Sequence, residues 1–239
     1  MTTNTAALTE FPEDWASALV VVAHPDDIEY AGAAAVARWT SMGKDVRYLI
    51  ASRGEAGLDG MSPDECGPLR VKEQIAAADE VGVSVVEFLD HPDGVIEYGL
   101  PLRRDIARAV RRHQPEMVLT GNWRERVVTG MYNMADHRVV GAAAVDSVRD
   151  AANRWVFPDL EEPPWSGVRY TAAYGSPGAQ HAVETGDWFD AGLRALLAHR
   201  TYLDALSVDP ADAEAMLRRF GRDVAARFDG RHGLELEIY

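Results

Sequence analysis

The chain has 239 residues, 47% of them apolar, which suits one large α/β domain with a buried core and excludes a disordered chain. Its 38 acidic and 24 basic residues give a formal charge of −14, which repels phosphate backbones and anionic membrane surfaces and argues against a nucleic-acid or membrane partner. The single cysteine, Cys66, excludes an internal disulfide and any CxxC site.

In chain order, the opening residues carry no basic and apolar leader, and no apolar run approaches the roughly 20 residues of a membrane span, so a cytoplasmic protein is expected. Residues 18–23 (ALVVVA) read as a buried strand, followed by a helix over 28–42 that Gly43 stops. A second strand is predicted at 46–51, a helix at 69–81 and a third strand at 83–89, with Cys66 in the loop before that helix. A basic-faced helix at 102–113 ends before Pro115, and a fourth strand covers 117–120. A helix at 136–153 and a fifth strand at 168–174 follow, and helical stretches at 188–205 and 211–227 close the chain. The expected fold is α/β: a single-domain, Rossmann-like three-layer sandwich with a mostly parallel central sheet. One domain covers 1–239, with a core at about 18–200 and a helical C-terminal extension.

In such a sheet, ligands sit beyond the carboxyl ends of the strands. Four polar clusters fall there: His24-Pro-Asp-Asp, then 52–57 (SRGEAG), 90–94 (DHPDG) and 121–124 (GNWR). One cluster would mean little, whereas four at one edge point to one site. His24 and Asp27 are close enough to hold one divalent cation from a single turn, with Asp26 beside it to deprotonate water. The plain alternative is that Asp26 or Asp27 caps the next helix. A third ligand is available in His137, which opens a helix on the same edge. Asp136 either orients a histidine or caps that helix. Arg53 and Glu55 line the site or pair with each other, and Arg70 and Glu73, at i and i+3, form a surface pair in the simpler reading. Trp123, Trp155, Trp165 and Trp188 line a pocket or pack in the core, and the loops between Arg154 and Trp188 leave a homo-oligomer open.

These motifs resemble the PIG-L/LmbE-like zinc-dependent N-deacetylases. Residues 23–29 (AHPDDIE) match the opening motif, and 52–57 (SRGEAG), 69–73 (LRVKE) and 136–141 (DHRVVG) follow in order; Gln180-His181 is similar to the family's C-terminal segment. The resemblance implies a Zn2+ site at His24, Asp27 and His137, where other divalent transition metals also fit the donor set. It implies Asp26 as general base toward a metal-bound water, with Arg70 and Asp93 contacting a sugar and Tyr132 contacting the oxyanion. The implied substrate is an N-acyl amino sugar or glycoconjugate. One departure stands out: Met134 occupies the place of a histidine that stabilises the intermediate. Methionine does neither that nor proton donation. Tyr132, His181 and His91 are the candidate replacements, with His181 favoured on a lid-like loop. The alternative function is a metal- or ligand-binding homologue with impaired catalysis. The lack of GxGxxG after the first strand argues against a nucleotide-binding protein.

Overall fold

The computed structural model describes residues 6–239. Eight strands form one sheet: β1 (Thr9–Glu10), β2 (Ser17–Val22), β3 (Asp45–Ile50), β4 (Val86–Phe88), β5 (Met117–Gly121), β6 (Tyr170–Tyr174), β7 (His181–Glu184) and β8 (Gly233–Ile238). Their spatial order is β1-β7-β8-β6-β5-β2-β3-β4, and β8 alone runs antiparallel to its neighbours. The helices are α1 (Ala33–Ser41), α2 (Pro63–Glu80), α3 (Leu100–His113), α4 (Ala135–Ala152), α5 (Phe189–Leu197), α6 (Arg200–Ala205) and α7 (Pro210–Ala225).

Strand β2 shows why the sheet is central. Ala18, Val20 and Val22 enter a core with Val36 and Trp39 of α1, Ala77 and Ala78 of α2 and Ala195 of α5. Leu19 and Val21 enter a second core with Leu102, Ile106 and Val110 of α3 and Val140, Ala143 and Ala144 of α4. Both faces are covered, so the strand reads as a continuous apolar run. The expected three-layer α/β architecture is the one found.

The chain passes from β2 outward through β3 to β4, then returns across β2 to place β5 on its other side. The carboxyl ends of β2 and β5 therefore flank the point where the winding reverses, and such a point opens a crevice. Residues 24–32 leave β2 there, and residues 122–134 leave β5 there.

Several boundaries differ from expectation. Helix α1 starts at Ala33 rather than residue 28, because residues 25–32 are a run of turns in which Asp26 takes φ +85°. Helix α2 starts at Pro63, where a Ser62–Glu65 capping box satisfies its first turn. Cys66 is thus fully buried in a helix, with its Sγ toward the Gly54 carbonyl, and is not in a loop. The predicted 188–205 helix is interrupted between α5 and α6, where His199 sits. The C-terminal extension is not all helical: its last element, β8, is inserted between β6 and β7. Among the described residues no helix is long and apolar enough to cross a membrane.

Candidate active site

The turn after β2 folds back on itself. Asp27 Oδ2 accepts the backbone N–H groups of Ala23 (3.0 Å) and His24 (2.9 Å), leaving Oδ1 free to face the crevice. His24 Nε2 lies 3.1 Å from both Asp136 Oδ2 and Asp93 Oδ1, which leaves Nδ1 facing Asp27 Oδ1 at 3.7 Å. His137 Nδ1 is 3.2 Å from Asn133 Oδ1, and its Nε2 reaches Asp27 Oδ1 at 3.0 Å. The two imidazoles are 5.2 Å apart between ring centroids.

These distances test the donor set. Ligand atoms about 2.0–2.1 Å from a tetrahedral zinc lie roughly 3.3 Å from each other. Asp27 Oδ1 lies 3.7 Å from His24 Nδ1 and 3.0 Å from His137 Nε2, either side of that value, and the three residues each offer a ligand atom within 4.8 Å of the others. Each ligand's remaining polar atom is held by the protein, the arrangement that fixes tautomer and orientation in metal sites. A second cluster, His24 with Asp93 and Asp136, fits less well. Asp136 already accepts the N–H groups of Gly94 (2.7 Å) and Ile96 (3.2 Å), and Asp93 Oδ2 accepts that of Ala56 (2.8 Å). Those carboxylates orient His24. The residues present therefore fit a divalent cation at His24, Asp27 and His137.

The electrostatics agree. Burial opposes a charged His24, yet its hydrogen bonds to Asp136, Asp27 and Asp93 raise it to about 12. Burial likewise opposes a charged His137, and the Asp27 carboxylate outweighs it and raises that group too. The cluster favours positive charge at its centre.

Asp26 lies behind this centre, 5% exposed. Burial pushes its carboxyl up to about 7, although the Arg70 guanidinium pulls it down. Arg70 Nη2 is 3.0 Å from Asp26 Oδ2 but out of line for a hydrogen bond, and it donates to the Pro25 carbonyl at 2.5 Å. The guanidinium stacks on Tyr202 at 3.8 Å. The glycines of the SRGEAG loop make room for it: Gly54 has φ +63°, and a Cβ there would meet Arg70 Nη1 at 2.5 Å.

With the fold and the ligand geometry in place, comparison with known proteins decides the kinship. A family model described as PIG-L, GlcNAc-PI de-N-acetylase, matches residues 19–148, more than half of the chain. The chain belongs to the PIG-L family. Its PIG-L domain is 29% identical over 133 residues to diacetylchitobiose deacetylase of Thermococcus kodakarensis, an alignment spanning 54% of this chain and 48% of that protein. It is 28% identical over 184 residues to a 1D-myo-inositol 2-acetamido-2-deoxy-alpha-D-glucopyranoside deacetylase of Rhodococcus erythropolis, spanning 64% of this chain and 58% of that one. The chain thus spans about half the length of these curated relatives. Among solved structures, N,N'-diacetylchitobiose deacetylase from Pyrococcus horikoshii superposes with a TM-score of 0.81 at 22% identity, covering 94% of this chain and 85% of that one. The 4-carboxy-2-hydroxymuconate hydratase of Pseudomonas putida superposes with 0.77 at 19% identity, covering 93% and 95%. Likeness at that identity shows the fold, which a deacetylase and a hydratase share; the site has to choose the chemistry.

Not every expected site residue joins the PIG-L centre. His24, Asp26, Asp27 and His137 come together, with Arg70 and Asp93 buried against Asp26 and His24 rather than open to a ligand. Arg53 pairs with Asp90 at 2.6 Å, and Glu55 accepts the backbone N–H groups of Arg53 and Asp93, tying two loops together. Tyr132 is 62% exposed, with Arg138 over its ring at 5.0 Å. His181 is not on a lid: it opens β7, its Nδ1 is 2.9 Å from Thr9 Oγ1, and β8, β6 and β5 separate its strand from β2. His91 turns away to Asp105 at 3.2 Å. Trp123 packs on Tyr239, and Trp165 and Trp188 donate to the Pro115 carbonyl and Ser41 Oγ.

Two contributors escaped the sequence reading. Gln74 follows Arg70 by one helical turn and so shares its face, and Asn133 precedes His137 by four residues. The i, i+4 spacing was the available signal in both cases.

Proposed function

We propose that the protein is a metal-dependent hydrolase that removes an N-acyl group, in the first instance N-acetyl, from an amino sugar or sugar conjugate. The observation that carries this reading is the convergence of His24 Nδ1, Asp27 Oδ1 and His137 Nε2 in front of a buried carboxyl, Asp26, poised near neutrality. The deacetylase relatives supply the acyl and sugar classes. Zinc, when bound, supplies Lewis-acid polarisation of a carbonyl and lowers the pKa of water to about 7. Asp26 takes the proton of the attacking water and returns it to the departing amine, a role suited to a group whose pKa lies near the working pH. Arg70 keeps that carboxylate in place, while Asp93 and Asp136 hold the His24 ring. Tyr132, exposed in the segment that follows β5, is the donor to the acyl oxygen in this scheme. Arg53, half exposed at the rim, is the charged group left to meet substrate hydroxyls.

Met134 favours a second reading, a binding protein with impaired catalysis. It sits at the N-cap of α4, 56% exposed, one turn from His137, while His91 pairs with Asp105 and His181 with Thr9. Losing one oxyanion donor costs on the order of 100-fold in rate. A panel of N-acetylglucosamine derivatives assayed with and without added zinc separates the two. The hydrolase releases acetate only when loaded, and Asp26→Ala retains one metal per chain while turnover falls by about 10²–10⁴-fold. Turnover by Asp26→Ala at the wild-type rate would remove the assigned base.

A further inference from the structure

Asp26 occupies a backbone conformation, φ +85°, that L-residues rarely adopt. Something must hold it there. The peptide unit joining Pro25 to Asp26 is gripped at both ends by α2: Arg70 Nη2 donates to the Pro25 carbonyl (2.5 Å), and Gln74 Oε1 accepts the Asp26 N–H (2.9 Å). The next peptide unit is fixed separately, because the Asp26 carbonyl accepts the N–H groups of Glu29 (2.9 Å) and Tyr30 (3.1 Å). With both flanking peptide planes set, φ at Asp26 is set as well.

Gln74 can do this only if its amide is turned the right way, with oxygen toward Asp26. Glu29 dictates that orientation, since Gln74 Nε2 donates to Glu29 Oε1 at 2.9 Å. The bonds close a ring: Asp26 N–H to Gln74, Gln74 to the Glu29 carboxylate, and Glu29 N–H back to the Asp26 carbonyl. The ring is enclosed, with Gln74 fully buried and Glu29 1% exposed. The second Glu29 oxygen faces His199 Nε2 at 3.6 Å. Among the described residues, neither Gln74 nor Glu29 has a side-chain hydrogen bond to His24, Asp27 or His137.

We propose that Gln74 and Glu29 are positioning residues, a buried hydrogen-bonded ring that holds Asp26 in its strained conformation and aims its carboxylate at the reacting centre. The inference rests on Asp26 as the proton carrier, and it makes a structural claim that can be tested without turnover. Gln74→Met keeps the volume and removes both hydrogen bonds. The expected result is a crystal structure in which Asp26 leaves the positive-φ region while His24, Asp27 and His137 stay in place and still bind one zinc. In kinetics, kcat falls about 10–100-fold with KM nearly unchanged, as for a catalytic group displaced by about 1 Å.

Gln74→Glu sets two carboxylates face to face and gives the same loss. Adding Glu29→Gln restores a donor and an acceptor in exchanged positions, and the double variant recovers kcat to within about threefold of wild type. If Asp26 keeps φ near +85° in Gln74→Met, or if the exchange fails to recover what Gln74→Glu loses, the positioning role is wrong. A wild-type protein inactive on every N-acetyl substrate would overturn the hydrolase reading instead, and the crystallographic result would still decide for or against the ring.

Discussion

The two halves of the sheet are built on different principles. From β5 to β4, the strands are parallel, joined by helical crossovers, and carry the candidate metal centre at the turns after β2 and β5. From β1 to β8, the strands are contributed by the two ends of the described chain and are held by pairings distant in sequence, Thr9 with His181 and His181 with Leu236. The first half gathers its chemistry at one edge, from the turn after β2 and from the helices α2 and α4 that follow β3 and β5. The second contributes apolar closure: Leu8, Ala179, Ala182, Val224 and Phe228 form a small core of their own. If that division is real, damage to one half should read out in stability and damage to the other in metal affinity.

Leu236 gives the largest expected effect. It is fully buried in β8 and belongs to the core that also contains Val20 and Trp39. Leu236→Ala should cost about 2–5 kcal/mol in denaturant unfolding, the usual range for truncating a buried leucine. Zinc affinity of the fraction that remains folded should stay within about twofold of wild type. A large fall in affinity would show that β8 reaches the site and that the two halves are not independent.

Asp136 probes the other half. It accepts from Gly94, Ile96 and His24 but is no ligand in this assignment. Asp136→Asn should weaken zinc binding about 10–100-fold in a chelator competition, the usual cost of removing a carboxylate that orients a metal-bound histidine. An unchanged affinity would mean that Asp93 alone fixes the ring.

Between the halves runs the segment from β1 to β2, and Glu13 fastens it. Its carboxylate accepts from Arg38 at 2.9 and 3.2 Å and from Trp39 Nε1 at 2.7 Å. Burial would raise its pKa, but the bonds to Arg38 and Trp39 win and hold it below the ordinary 4.5. A depressed carboxylate stabilises the fold above its unfolded pKa and loses that contribution as pH falls through the folded value. Glu13→Gln should therefore lower stability by about 1–2 kcal/mol at pH 7, with the gap to wild type closing as acid protonates Glu13. Unfolding curves at pH 7 and in progressively stronger acid check this, and a gap independent of pH would assign the effect to packing.

The same division explains what the sequence revealed. His24, Asp26 and Asp27 were legible because four consecutive residues carry them and an apolar strand announces their position. His137 was legible once the strand order put its helix at the same edge. The N-cap reading of the HPDD turn failed for a reason no propensity shows: residues 25–32 are turns, and Asp27 bonds backward to Ala23 and His24 instead of forward into α1. Gln74 has a local mark in its i, i+4 spacing from Arg70, but that spacing does not reveal its bond to Glu29, 45 residues away. Strand β8 alternates in sequence (GLELEI), but its place between β6 and β7 depends on pairing partners some sixty residues earlier.

His181, at the start of β7, is expected to contribute to the fold and not to the chemistry. Its neighbours in sequence suggested a loop reaching the metal, yet it starts β7, where register with Thr9 and Leu236 leaves no freedom to swing. Among the described residues its side-chain partner is Thr9 Oγ1, at the same edge of the sheet. His181→Ala should leave kcat and KM for any N-acetyl substrate within twofold and cost at most about 1 kcal/mol of stability, the worth of an exposed hydrogen bond. A 100-fold loss in kcat would be the size expected for a missing oxyanion donor. It would also require β1 and β7 to detach from the sheet and carry the imidazole to the crevice, so the edge would belong to the active site after all.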